Sequence, residues 1–147
     1  AHILALPRDE AATAAEVAAM RGRMLDGHHN ASGLFDVKHD RGGMVDVEFA
    51  VQHLVLAHAH AHPELVNNFG NRLLLEMAAS AGLIDAQLAR DAGAAYHRFR
   101  FIQREIRLSR GQDAKARVDE AMVAAERDAV LRLWRQVFGD EGPKRKA

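Results

Sequence analysis

Residues 35–56 read FDVKHDRGGMVDVEFAVQHLVL, and this stretch decides the fold. Its paired glycines, Gly42 and Gly43, permit backbone angles closed to other residues and predict a tight turn at 41–43. Behind the turn, apolar residues recur every three or four positions, which predicts a helix over about 44–60 with one apolar stripe. That stripe consists of Val47, Ala50, Val51, Leu54 and Val55. In front of the turn, residues 34–38 predict a short extended segment.

The same helical periodicity continues on both sides of this stretch. Four further helices are predicted, over about 9–26, 70–81, 85–109 and 113–138. Gly27 and Gly82 are placed to end helices, and Asp85 is a typical N-cap. Five helices with short connections and no alternating strand pattern predict an all-α helical bundle. We expect residues 9–138 to form this bundle, with a linker remnant over 1–8 and a polar tail over 139–147.

Composition limits the classes of protein to which the chain can belong. The 147 residues contain 48% hydrophobic and 27% charged residues, as a globular domain does. No cysteine is present, which excludes disulfides and thiolate metal sites. Lys plus Arg and Asp plus Glu balance at 20 each, which argues against a nucleic-acid partner. No apolar run approaches the roughly 18 residues needed to span a bilayer, so no membrane role is expected.

Nine histidines are many for this length and raise the question of a metal site. His58, His60 and His62 are spaced by two, whereas ligands on one helix face need a spacing of three or four. We therefore interpret them as surface histidines at a polar helix end and predict no metal ligands. A histidine metal-binding bundle stays open as an alternative, which bound zinc would reveal.

The acidic pair Asp46 and Glu48 lies at the predicted start of the second helix. Paired carboxylates suit Mg²⁺, but these two follow no strand, and negative charge at a helix start is stabilising by itself. The Gly42–Gly43 turn before that helix is a weak signal for an anion site. No arrangement of nucleophile and base is present, so we predict no catalytic residues in this chain.

Basic residues cluster around the same stretch and along the later helices. Several of them could face one cleft and bind phosphates, although an ordinary solvated helix face is the alternative. These residues are Arg21, Arg23, Lys38, His39 and Arg41. The arginine-rich runs 98–110 and 127–135 are interpreted as solvated faces, with a partner surface as the alternative. Tyr96 and Trp134 fit the core stripes and are expected to be buried.

The run 35–56 resembles the glutamine synthetase adenylyltransferase/adenylyl-removing enzyme family. The motif of that family is Phe-Asp-x-Lys, three residues, Gly-Gly-hydrophobic-x-Asp-hydrophobic-Glu-Phe and then Val-Gln. Further similarity at 17–24, 62–65, 82–84 and 95–100 extends the resemblance over roughly 7–138. The form of the glycine motif is similar to that of the C-terminal, adenylylating half of the family.

This resemblance implies a helical accessory domain that follows a nucleotidyltransferase domain in the same chain. The intact, cytoplasmic enzyme would use ATP and Mg²⁺ to attach AMP to a tyrosine of glutamine synthetase, and would respond to the PII signal protein. No cofactor is expected on this fragment alone, which we expect to be inactive. The segment from Lys38 to Gln52 would pack against the catalytic domain. Residues that would then border the nucleotide cleft are Lys38, Gly42, Gly43, Asp46 and Glu48.

Two other interpretations stay open at this point. The helical domain of a PII uridylyltransferase has a looser resemblance to the chain. A stand-alone helical protein-interaction module needs no enzymatic parent at all. The sequence upstream of Ala1 would distinguish them, because only a nucleotidyltransferase carries a Gly-Ser turn followed by an Asp-x-Asp pair.

Overall fold

A computed structural model describes residues 10–58 and 70–139, with side chains from residue 14 onward. In this part of the chain five α-helices and one two-stranded ladder follow each other. The order is α1 (Glu10–Asp26), β1 (Phe35–Asp36), α2 (Met44–His58), α3 (Asn71–Ser80), α4 (Ala86–Arg110), β2 (Arg117–Val118), a 3-10 helix (Glu120–Val123) and α5 (Ala124–Phe138). The predicted all-α helical bundle is confirmed.

Helix α2 lies at the centre and packs against each of the other four helices. Its apolar residues face two clusters, which explains why nearly the whole helix is buried. The larger cluster joins α2 to α3, α4 and α5 and includes Phe35 of β1. The smaller cluster consists of Val17, Val45, Phe49 and Trp134, and it attaches α1 to the bundle. Burial of Trp134 and Tyr96, at 1% and 8% exposure, is as predicted.

Helix ends follow the predicted capping chemistry closely. The Asp85 carboxylate accepts a hydrogen bond from the Leu88 N–H at 2.9 Å and caps α4. Helix α3 ends one residue earlier than predicted, with Ala81 as its C-cap. Gly82 follows with a φ of 81°, and the next N–H, of Leu83, donates to the Ala78 carbonyl at 2.9 Å. Gly82 thus supplies the left-handed residue that closes the helix.

The predicted start of the last helix at Asp113 is wrong. Residues 117–118 instead pair antiparallel with β1, in the register Phe35 to Val118 and Asp36 to Arg117. The Asp119 carboxylate then accepts from the Ala121 N–H at 3.1 Å and starts the 3-10 helix. Met122, which a continuous helix from Asp113 would place on the same face as Val118, is 60% exposed. The extended segment predicted over 34–38 is confirmed, since β1 lies within it.

The sequence also predicts a linker and a polar tail at the two ends of the chain. Residues 1–9 and 140–147 lie outside the described residues, so the linker over 1–8 and most of the tail over 139–147 stay predictions. Among the helices that the structure describes, none combines the length and apolar character required to cross a membrane.

Candidate functional site

The loop from β1 to α2 is held by its own side chains. Asp36 Oδ1 accepts hydrogen bonds from the N–H groups of Lys38 and His39, both at 3.0 Å. Asp40 Oδ2 accepts from the Asp36 N–H at 2.9 Å and from Asn30 Nδ2 at 2.8 Å. These short-range bonds close the loop on itself, because aspartates readily bond to backbone groups two to four residues away.

The charge on Asp36 is stabilised by this arrangement. Burial alone would raise the pKa of its carboxyl group, but the two backbone donors and the nearby His39 and His28 outweigh that effect. The pKa of Asp36 is therefore lower than its ordinary value. Arg117 of β2 approaches the same carboxylate, with Nε 3.5 Å from Oδ2. Asp36 thereby joins the loop to the ladder.

At the glycine turn, the backbone of Gly43 lies directly against the backbone of the preceding loop. A Cβ atom on Gly43 would lie 2.6 Å from the Val37 carbonyl oxygen and 3.0 Å from that of Asp40. Gly42 has a φ of 87°, and a Cβ there would collide with the Arg127 side chain. Both positions therefore require glycine, one for lack of space and the other also for its backbone angle.

The amides at this turn are already used. The N–H of Gly42 donates to Asp46 Oδ2 at 2.7 Å, and that of Gly43 donates to the Asp40 carbonyl at 2.9 Å. The N–H groups of Met44 and Val45 donate to the Val37 and Lys38 carbonyls at 2.8 and 3.0 Å. A phosphate at a helix start needs free amides, so the turn is built to fix the loop rather than to hold an anion.

Asp46 forms the centre of a buried charge cluster. Its side chain is fully buried, and Oδ1 accepts from Arg21 Nε of α1 at 2.6 Å. Oδ2 accepts from Arg41 Nη1 as well as from the Gly42 amide. The Arg41 guanidinium also lies 4.7 Å from the centre of the Trp134 ring. The carboxylate is thus engaged on both oxygens by donors from α1 and from the turn, as a buried charge must be.

Arg21 continues the cluster toward the loop. Its Nη2 donates to the His39 carbonyl at 2.6 Å, so one guanidinium ties α1 to both the loop and α2. The interpretation of Arg21 as part of a solvated helix face is wrong, because Arg21 is only 1% exposed. Its neighbour Arg23 is exposed, as a solvated face requires. The spacing of Val17, Arg21 and Leu25 is the signal in the sequence, since both apolar neighbours lie on the buried face.

Glu48 points away from Asp46. Its Oε2 accepts a hydrogen bond from the Tyr96 hydroxyl at 2.9 Å, and Asn71 Nδ2 donates to that hydroxyl at 3.0 Å. Burial and the charge of Glu48 raise the pKa of Tyr96, which keeps the phenol protonated and donating. The two acids of the motif therefore serve different contacts and do not converge as a pair of metal ligands.

Lys38 is the motif residue that faces open space. It lines a cleft of about 220 Å³ between the loop, the second half of α4 and the connection to β2. His39, Gln103, Arg107 and Lys115 line the same cleft. The five predicted cleft residues are thus close in the fold, but they differ in access: Lys38 lines this cleft, while Asp46 is enclosed.

The histidines do not assemble into a metal site in the part of the chain described here. No group of three or more histidine, aspartate or glutamate side chains there could hold a metal ion. His53 is only 1% exposed and packs 5.1 Å from the Phe138 ring, so it is a core residue rather than a surface one. His60 and His62 of the predicted trio lie outside the described residues. His28 stacks on His39 with ring centres 4.0 Å apart.

The fold and this buried cluster define a class of protein: an all-α helical bundle whose central helix is anchored by arginine–aspartate contacts. No family model matches the chain. Curated relatives do, and they are named bifunctional glutamine synthetase adenylyltransferase/adenylyl-removing enzymes. The relative from Bordetella bronchiseptica is 55% identical over 140 residues, which cover 95% of this chain. Those from Burkholderia mallei and Chromobacterium violaceum are each 50% identical, over 94% and 92% of it.

The chain is therefore homologous to a segment of the glutamine synthetase adenylyltransferase/adenylyl-removing enzymes, and the resemblance found in the sequence is confirmed. It spans about 15% of the length of these curated relatives.

Proposed function

We propose that this chain works as a helical domain inside a bifunctional enzyme that adenylylates and deadenylylates glutamine synthetase. In that enzyme it positions the protein substrate and relays regulatory signals, while an upstream nucleotidyltransferase domain performs the chemistry. The proposal rests on sequence identity: the chain is 50–55% identical, along nearly its whole length, to a segment of such enzymes. ATP and Mg²⁺, the PII protein and a cytoplasmic location belong to the same proposal for the intact enzyme.

The contacts of the motif acids support the part of the proposal that assigns the chemistry to an upstream domain. Asp46 has both oxygens engaged by arginines and an amide, so its carboxylate is committed to the fold. Glu48 is engaged by Tyr96. Acids that carry Mg²⁺ and nucleotide phosphates need open coordination positions on converging carboxylates; Asp46 is enclosed, and Glu48 points to Tyr96 instead of toward it. We propose that the metal-binding acids are supplied by the upstream domain.

Lys38 is the residue through which this domain would reach the nucleotide cleft. Its backbone is fixed on both sides, by the Asp36 carboxylate and by the Val45 amide, while its side chain borders an open cleft. A lysine on such a rigid loop is a fixed positive charge, which suits the phosphates of a nucleotide or an acidic neighbour. Gly42 and Gly43 would contribute by keeping that loop in place.

The test is the rate of AMP transfer to glutamine synthetase by the full-length enzyme that contains this chain. We expect Lys38→Ala to lower this rate by about tenfold or more, because a positioned charge at a phosphoryl-transfer site contributes at least that much. Arg23→Ala removes an exposed cation from α1 and is the matched control. Asp46→Ala is less informative, since loss of a buried charge partner also affects folding.

Two results would contradict the proposal. If the Lys38→Ala enzyme folded normally and transferred AMP at the normal rate, Lys38 would have no role at the nucleotide cleft. AMP transfer by the isolated 147-residue chain, supplied with ATP and Mg²⁺, would show that this segment carries chemistry of its own.

A further inference from the structure

A groove of about 400 Å³ runs along the exposed side of α4 and contains none of the loop's motif residues in its lining. Seven of its lining residues lie on α4, and we call the cavity that they line the α4 groove: Gln103, together with His97, Arg100, Phe101, Arg104, Arg107 and Leu108. Their spacing of three and four places them on one face of the helix. A face with this spacing normally packs against the core, but here it is open to solvent over Arg100, Phe101, Arg104 and Leu108.

Three of these residues form a line of positive charge. Arg100, Arg104 and Arg107 follow each other on successive turns, over about 10 Å of helix. None of the three forms an ion pair with another described residue, whereas Arg127 and Arg132 have carboxylate partners at 2.9 and 2.8 Å. Arg107 Nε is moreover buried without a hydrogen-bond acceptor from the described protein. Guanidinium groups without a carboxylate partner retain free N–H donors, so this face is suited to a ligand that brings carbonyl or carboxylate oxygens.

Large apolar side chains alternate with the arginines. Phe101 is 42% exposed and Leu108 is 72% exposed. The Arg104 guanidinium lies 6.0 Å from the centre of the Phe101 ring, which holds the two side chains next to each other. Aromatic residues and arginine are the residue types enriched at protein–protein interfaces. The groove thus combines charge for recognition with apolar area for affinity.

We propose that the α4 groove binds an acidic, amphipathic helical segment of a partner protein. Carboxylates on successive turns of such a segment match the arginines turn for turn, and its apolar side chains cover Phe101 and Leu108. The proposal uses only the surface of α4, so it does not depend on the adenylyltransferase role.

The geometry favours a peptide over a phosphate group. Phosphate sites bring several donors together on one point, often with free amides at a helix start. Here the guanidinium groups are spread along the helix instead of converging, and the groove lies toward the C-terminal end of α4, away from the free amides at the helix start. An elongated ligand with distributed charge fits these features better than a compact one.

The experiment measures binding of a labelled helical peptide to the natural full-length protein by fluorescence anisotropy. The peptide carries glutamates at positions i, i+4 and i+7 with leucines beside them, and a second peptide has glutamine at each glutamate. We expect the glutamate peptide to bind in a salt-dependent manner. The double variant Arg100→Glu/Arg104→Glu should bind it about tenfold more weakly, and Arg98→Glu/Arg135→Glu, with the same change in net charge, should stay within about twofold.

A second pair of variants tests the apolar part. Phe101→Ala/Leu108→Ala should weaken binding with little change in its salt dependence. Leu73→Ala/Met122→Ala, which removes side chains of 42% and 60% exposure elsewhere, is the matched control and should leave binding unchanged. All four substituted residues are exposed, so the fold should be retained.

Three outcomes would overturn the proposal. The glutamine peptide could bind as tightly as the glutamate peptide, which would exclude recognition of charge. The control variants could lose as much affinity as the groove variants, which would place the binding elsewhere. Inorganic tripolyphosphate could bind with the same dependence on Arg100 and Arg104 while the peptide does not, which would make the groove a phosphate site.

Discussion

At the scale of single residues, Asp46 is the charge on which this corner of the fold depends. Its carboxylate holds two guanidinium groups and an amide, and Arg21 beside it is as deeply buried. We expect Asp46→Ala to lower the free energy of unfolding by about 3–5 kcal/mol, because the arginines would be left as buried charges without a partner. Chemical denaturation monitored by circular dichroism measures this change.

The control is another aspartate–arginine pair on a helix. Asp128 bonds to Arg132 at 2.8 Å, but both side chains are exposed. Asp128→Ala should therefore cost no more than about 1 kcal/mol, as exposed pairs do. If both variants lost the same free energy of unfolding, the Asp46 cluster would contribute no more than a surface ion pair does. That outcome would refute the expectation drawn from the burial of Arg21.

Sequence reasoning identified Asp46 and its position at a helix start but missed its partners. The position and charge of an acid can be read from the local sequence. The contact between Asp46 and Arg21, however, joins residues 25 positions apart. The same holds for Glu48, whose partner Tyr96 lies 48 positions away. The motif therefore predicted which residues gather at the site, but not that the two acids point to different neighbours.

At the scale of elements, the glycine turn controls how α2 begins. A Cβ on Gly43 would collide with the carbonyl oxygens of Val37 and Asp40, and backbone atoms cannot move aside as a flexible side chain can. We expect Gly43→Ala to destabilise the protein by about 1–3 kcal/mol, in the range of overpacked sites. Gly70→Ala is the control, since a Cβ there meets nothing within 4 Å and its φ is −68°. Thermal denaturation gives the melting temperature of each variant. An unchanged melting temperature in Gly43→Ala would mean that the turn accommodates a Cβ without loss of stability.

Strand β1 connects this turn to the core through Phe35. The Phe35 ring packs 5.9 Å from that of Phe99, and the Arg127 guanidinium lies 5.5 Å above it. Phe35→Ala should cost about 3–5 kcal/mol, whereas Leu34→Ala at the preceding, 45% exposed position should cost little. Urea denaturation distinguishes the two. Similar values for both would show that β1 is not part of the cooperative core.

The elements differ in how well the sequence predicted them. Helices α2, α3 and α4 were predicted because a local apolar period and local caps define them. The start of α5 was not, because the pairing of residues 117–118 with residues 35–36 connects positions about 80 apart along the chain. A helical period through Val118 and Met122 existed in the sequence, but the ladder and the Asp119 cap override it.

At the scale of the whole molecule, two surfaces with different chemistry lie on either side of one short connection. The Lys38 cleft and the α4 groove share Gln103, Arg107 and Gln112 in their linings. Arg107 therefore lies where a ligand in the cleft and a peptide on α4 would meet.

The stability of the whole domain should also depend on pH through the loop at its centre. Burial and the nearby His28 lower the pKa of His39 below its ordinary value of 6.5, although Asp36 opposes this effect. Between the lowered value and 6.5 the unfolded chain binds more protons than the folded one, so acidification favours unfolding. Asp36, with its pKa below 3.8, contributes stability that is lost only as the pH falls through that lower range.

We expect the free energy of unfolding, measured in urea, to fall between about pH 7.5 and pH 5.5 and to fall less in His39→Asn. His29→Asn changes an exposed histidine and should keep the normal slope. A steeper slope in His39→Asn would mean that the folded loop prefers the protonated ring, which the positions of His28, Lys38 and Arg21 around it oppose.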